Sequence, residues 1–209
     1  KVAFQCLLLA DRLEDGARKT KLQDAAKRCA AWMLKNVERT ENGWYPRRVS
    51  PDGKVFRKNP HGGDDTFWQT SADGIFIPQL LLGLTRRGLG DHTAEIRRAC
   101  ETFVKLGGVF GSINHDTYAA NENVAYSCAF RVLRDAADHL QDAKIRAFAY
   151  DVCLKGLDVF KMHEDRNGVA TRGLLWMERS WDTSYLWENA EAALAFFEAA
   201  HETKNRKYS

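Results

Sequence analysis

The chain has 209 residues, a formal charge of +3, 44% hydrophobic residues and 28% charged residues. These values describe a folded globular chain and exclude a disordered one, and the length suggests a single domain, 1–209. No apolar run approaches the roughly 20 residues of a membrane-spanning helix, and +3 is too mild to make nucleic acid the expected partner.

Seven segments carry helical periodicity, over 2–18, 22–39, 72–87, 93–106, 122–140, 143–163 and 188–204. The first opens with Val2-Ala3-Phe4 and is apolar nearly all round, while the second, with Lys27-Arg28-Cys29-Ala30-Ala31-Trp32, is amphipathic. Between the second and third lies one plausible hairpin, 44–49 with 54–57, turning on Ser50-Pro51-Asp52-Gly53. The third contains Pro78, which predicts either a kink or a helix that starts later. The third, fifth and seventh are apolar like the first, and the fourth is striped like the second. A helix apolar on every side needs protein around it, whereas a striped one faces water. Alternation along the chain therefore predicts an all-α fold of antiparallel helical hairpins in two layers.

Turns from odd to even helices are short, as at 18–20 and 141–142, and the return connections 40–71, 107–121 and 165–187 are long. Long connections in compact domains are usually functional, and these three are expected at one end of the array, over the N-termini of the inner helices. Each carries an Asp-Thr pair: Asp65-Thr66, Asp116-Thr117 and Asp182-Thr183. Two copies are followed by an acid-amide pair, Glu122-Asn123 and Glu188-Asn189, where the first has Ser71-Ala72. Helix capping is one reading of these pairs. The residues at both ends read as incomplete hairpins, so the expected partners include a missing remainder of the chain or an oligomer partner.

Five cysteines without a C-x-x-C pairing argue against a zinc ribbon or a disulfide framework, and free Cys in helices usually packs as a small hydrophobe. Nothing matches a P-loop, a G-x-G-x-x-G or an H-E-x-x-H. His163-Glu164-Asp165 reads as a solvated helix end, so neither a metal nor another cofactor is expected.

The long connections hold the residues suited to binding. Trp44, Tyr45, Trp68, Trp176 and Trp181 offer flat apolar faces of the kind carbohydrates use. Arg47, Arg48 and Arg179 offer planar forks for a carboxylate. Asn114 and His115 precede Asp116-Thr117-Tyr118, and Glu122 follows, so His115, Tyr118 or Glu122 could move a proton. Glu188, opening the last helix, joins the substrate-binding set.

Apolar helices inside amphipathic ones resemble the α/α toroid of six-hairpin glycosidases, several polysaccharide lyases and terpenoid cyclases, here as about three and a half hairpins. Asn114-His115-Asp116-Thr117-Tyr118 is similar to the Asn-His-aromatic patch of toroid alginate lyases, with one extra residue before the Tyr. Asn42-Gly43-Trp44-Tyr45-Pro46-Arg47 and Asn167-Gly168-Val169 are similar to turns of toroid pectate lyases. Asp73-Gly74-Ile75-Phe76 resembles a segment of unsaturated uronyl hydrolases whose Asp is the acid/base. All three families handle acidic sugars. Asp64-Asp65-Thr66 is similar to squalene-type cyclases, but Gly62 stands where their Asp-x-Asp-Asp patch needs its first Asp, which ranks that chemistry lower. The resemblance implies a carbohydrate-active protein degrading a uronic-acid-containing poly- or oligosaccharide, by lyase chemistry through His115, Tyr118 or Glu122 or by hydrolase chemistry through Asp73. A non-catalytic helical repeat that binds through its loops is the alternative.

Overall fold

The computed structural model describes residues 1–55, 71–111, 121–178 and 183–205. Among them the chain is all-α, with seven α-helices and no strand beyond single antiparallel bridges. It divides into two compact units, Lys1–Gly107 and Gly108–Ser209. No helix among the described residues is long and apolar enough to cross a membrane.

The first unit contains α1 (Val2–Ala10), α2 (Ala17–Asn36), α3 (Phe76–Arg86) and α4 (Thr93–Lys105). The break between α1 and α2 falls earlier than periodicity predicts. It sits at Asp15-Gly16, where Gly16 takes φ +151, and the expected turn at 18–20 lies inside α2. Pro78 is the third residue of α3, after a 3-10 turn at Ala72–Ile75, so the helix starts late rather than kinking. A first-turn proline has no intrahelical N–H to lose. The predicted hairpin appears as the Val49–Val55 bridge, closed by the Gly53 N–H donating to the Ser50 carbonyl at 2.8 Å.

Helix α3 is the centre of this unit. It packs on α1, α2 and α4 and buries Leu80, Leu81, Leu82 and Leu84. Removing a Leu side chain from water contributes roughly 1.5–3 kcal/mol, and these leucines are buried around most of the helix rather than on one face. Helix α1 departs from the expected inner-layer pattern: Leu7 and Ala10 are buried, but Val2, Leu8 and Leu9 are exposed.

The second unit contains α5 (Asn123–Leu140), α6 (Ala143–Phe148) and α7 (Leu186–Thr203). Helix α5 is its centre, with thirteen buried residues from Asn123 to Leu140 and contacts to α6 and α7. It stops at Gln141, in the left-handed region at φ 53, and Asp142 then caps α6 by accepting the N–H groups of Lys144 and Ile145. The single helix expected over 143–163 is three pieces: α6, a π-helical stretch Ala149–Leu154 and a 3-10 turn Leu157–Phe160. Tyr126 stacks on Phe110 with centroids 3.8 Å apart and meets Phe160 edge-on, so an aromatic cluster fixes where this outer element ends. Helix α7 buries Glu188, Ala192, Ala195 and Ala199 but exposes Leu186, Leu194 and Phe197, again unlike a helix enclosed on every side.

After Phe160 the chain forms an irregular antiparallel ribbon. Lys161 bridges Leu175, the Met162 N–H donates to the Leu174 carbonyl at 2.8 Å, and the Trp176 N–H donates to the Phe160 carbonyl at 2.8 Å. Its tip is Arg166-Asn167-Gly168-Val169, with Asn167 at φ 53 and Gly168 at φ 71. Two successive positive φ angles are what a tight two-residue hairpin turn needs, and Asn-Gly reaches them at least cost.

Candidate functional site

The ribbon's return strand meets the N-termini of both long helices of the second unit. The Asn123 N–H donates to the Met177 carbonyl at 2.9 Å, and the Glu122 N–H donates to the Phe110 carbonyl at 3.1 Å. In this unit the described residues Phe110 and Met177 therefore lie at the N-terminus of α5.

The two acid-amide pairs do something other than cap. Glu122 makes no side-chain cap hydrogen bond. Asn123, buried, instead donates from Nδ2 to the Trp176 carbonyl at 2.6 Å and to Glu188 Oε2 at 3.2 Å. Asn189 accepts the Leu175 N–H on its Oδ1 at 2.7 Å and donates from Nδ2 to Ser184 Oγ at 2.9 Å. Ser184 Oγ in turn donates to the Leu175 carbonyl at 2.8 Å. Both repeats thus reach the same short strand and clamp it at adjacent residues, Leu175 and Trp176. Ser71 in the first unit does behave as a cap, accepting the Asp73 N–H on its hydroxyl at 3.1 Å.

Clamping fixes Trp176 beside a groove of about 340 Å³, lined by Met162, Arg166, Asn167, Thr171, Trp176 and Ser184 among others. The indole is half-buried, and the Arg166 guanidinium carbon lies 5.7 Å from its ring centroid. That volume lies at the low end of the range of small-ligand sites. The ribbon's tip is braced from within: the Arg166 N–H donates to Thr171 Oγ1 at 2.9 Å, and Asp165 Oδ1 accepts the N–H groups of Thr171 at 3.0 Å and Arg172 at 2.9 Å. Preorganised walls lower the ordering cost of binding.

Of the residues picked from sequence, Trp176 lies in this groove. Glu122 and Glu188 lie behind it, wholly buried with Glu178, so they support the strand rather than meet solvent. This corrects the expectation of Glu188 as a substrate contact and of Glu122 as an open proton-transfer group. Trp68, Asn114, His115, Tyr118, Arg179 and Trp181 lie outside the described residues.

Trp44 and Tyr45 also need correction, because both are 0% exposed and offer no stacking face. The Trp44 Nε1–H donates to the Ser71 carbonyl at 2.9 Å, and its ring packs on Phe103 and Tyr45. The Tyr45 hydroxyl donates to Glu95 Oε1 at 2.6 Å, and Arg39 lies 3.7 Å above its ring. Arg39 and Arg98 both pair with Glu95, binding the 37–49 connection to α4. An aromatic pair in a loop and one in a core look alike in sequence; only the partner helix separates them.

Two further picks come together. Arg47 Nε lies 3.9 Å from Asp73 Oδ2, with the Arg47 side chain 4% exposed and the Asp73 side chain 31% exposed. Arg48 is half-buried on the same connection. Among the described residues no group of three or more His, Cys, Asp or Glu could hold a metal ion.

Sequence reasoning missed Arg166, Asn167, Thr171 and Ser184 as groove residues. The available signal was Asn167-Gly168, among the strongest short-range hairpin signatures, inside what otherwise reads as a structureless connection.

Fold and site together define an all-α helical protein whose two central acid-amide motifs hold a tryptophan-bearing strand at a groove. No protein-family model matches the chain, and no match exists among curated proteins or solved structures.

Proposed function

We propose that this protein acts on a uronic-acid-containing saccharide, with the groove of the second unit as a sugar seat. The observation that carries the reading is Trp176, a half-buried indole fixed by its own backbone, with the Arg166 guanidinium over its ring. Pyranose rings present apolar C–H faces that lie on such an indole, while their hydroxyls use polar groups at its edge. Asn167 supports this, since its amide makes no hydrogen bond among the described residues. For the chemistry, His115 and Tyr118 are the candidates for the proton transfers of elimination, and Asp73 beside Arg47 is the candidate for hydrolysis.

The full chain incubated with oligogalacturonate and with alginate oligomers tests this. Ultraviolet absorbance from an unsaturated product reports elimination, and new reducing ends without that absorbance report hydrolysis. Elimination is expected to disappear in His115→Ala and Tyr118→Phe and survive in Asp73→Asn; hydrolysis is expected to behave the opposite way. Trp176→Ala should weaken binding of the oligomers in either case. Binding without turnover would favour the non-catalytic alternative, and absence of both would overturn the proposal.

A further inference from the structure

We propose that Arg166 is the residue by which the groove selects a carboxylate-bearing sugar over a neutral one; this rests on the groove being a saccharide seat. Arg166 carries the only charge among the described residues lining the groove. Its backbone is held by the turn and by Thr171, so the side chain is not needed to keep the tip folded. Among the described residues the guanidinium meets the Trp176 ring and the carboxylate of Glu164, whose Oε1 lies 3.2 Å from Nη2. Glu164 is 70% exposed and Arg166 51% exposed, so water screens this pair and it holds the guanidinium weakly. Nε and Nη1 make no hydrogen bond among the described residues.

A planar fork with unengaged N–H groups lying over an indole, its carbon 5.7 Å from the ring centroid, is an arrangement that a uronate carboxylate fits. The sugar packs on the part of the indole that the guanidinium leaves open while its carboxylate accepts from the guanidinium, and the two contacts are made at once by one residue of sugar. A neutral hexose has the first contact and lacks the second. None of Arg47, Arg48 or Arg179, the arginines that sequence singles out, is needed for this.

Isothermal titration of the full chain with oligogalacturonate and with its methyl ester tests the assignment, because the two ligands differ in charge and little else. The wild type is expected to prefer the acid by about tenfold or more at low salt. Arg166→Gln should bring the two affinities within about twofold by weakening the acid alone, and Arg166→Lys, which keeps the charge but not the fork, should fall between. Glu164→Gln, which removes a competing carboxylate, should tighten the acid severalfold. If Arg166→Gln keeps the wild-type preference while Trp176→Ala abolishes binding, the groove is the seat and Arg166 is not the selector. A wild type that binds neither ligand, or binds the ester as well as the acid, overturns the assignment, and binding neither overturns the saccharide reading with it.

Discussion

Replacing Asn123 with alanine tests whether the clamp holds the groove. Asn123 is 0% exposed and its Nδ2 donates at 2.6 Å to the Trp176 carbonyl and at 3.2 Å to Glu188 Oε2. Losing a buried donor that leaves its acceptor behind costs about 1–3 kcal/mol per bond. The second bond is the longer, and Glu188 keeps other interactions, so its loss belongs at the low end. Asn123 Oδ1 meets no donor among the described residues, and deleting that buried carbonyl returns part of the cost. The net expectation is a destabilisation of about 1–3 kcal/mol, read as a lower midpoint in urea by circular dichroism. Saccharide affinity of the folded variant should fall as well, because the Trp176 carbonyl loses the amide that holds it, leaving only the Asn189 clamp at neighbouring Leu175. A midpoint unchanged within about 0.5 kcal/mol, together with unchanged binding, would refute the clamp.

Three more outcomes follow from the packing. Gly74→Ala should destabilise the protein by about 1–3 kcal/mol, since an added Cβ would lie 2.6 Å from Trp44 Nε1 and that indole is fixed by the Ser71 carbonyl and Phe103. Thermal melting of Gly74→Ala alone and with Trp44→Phe checks it, because the smaller ring should recover part of the loss. Burial raises the Glu95 carboxyl, but hydrogen bonds from Arg98 and Tyr45 and the charge of Arg39 outweigh that and hold it below its ordinary value. Its contribution is therefore full above the ordinary carboxylate range and is lost as pH falls through the lowered value, so Glu95→Gln should flatten the acid limb of a stability-against-pH curve. Thiol labelling of the native protein should modify exposed Cys29 first, Cys6 more slowly, and Cys100, Cys128 and Cys153 only in denaturant. Burial drives the Cys153 thiol upward and keeps it unreactive, so rapid native labelling of Cys153 would contradict its placement.

Much of the secondary structure is legible without coordinates, and for a physical reason. The apolar period of α4 and α5 is long and unambiguous, and their observed bounds, Thr93–Lys105 and Asn123–Leu140, fall within a residue of expectation. Local chemistry also marks the turn at Asn167-Gly168, where backbone conformation depends on the residues themselves, whereas the break before α2 at Gly16 falls inside what periodicity reads as helix. The all-α class, the hairpin turn at Ser50–Gly53 and the repeated acid-amide pairs belong to the same category.

Tertiary structure alone decides what those residues face. Trp44 and Trp176 both stand in polar connections next to arginine, yet one is enclosed by Phe103 and Tyr45 while the other borders a groove. Glu122-Asn123 and Glu188-Asn189 look like helix starts in sequence, and their amides instead join helices to a strand more than fifty residues from Asn123. The difference arises because burial and long-range hydrogen bonding depend on which segments meet across the fold. A periodicity of 3.6 residues records which side of a helix is apolar; it holds no information about which distant backbone group an amide will find.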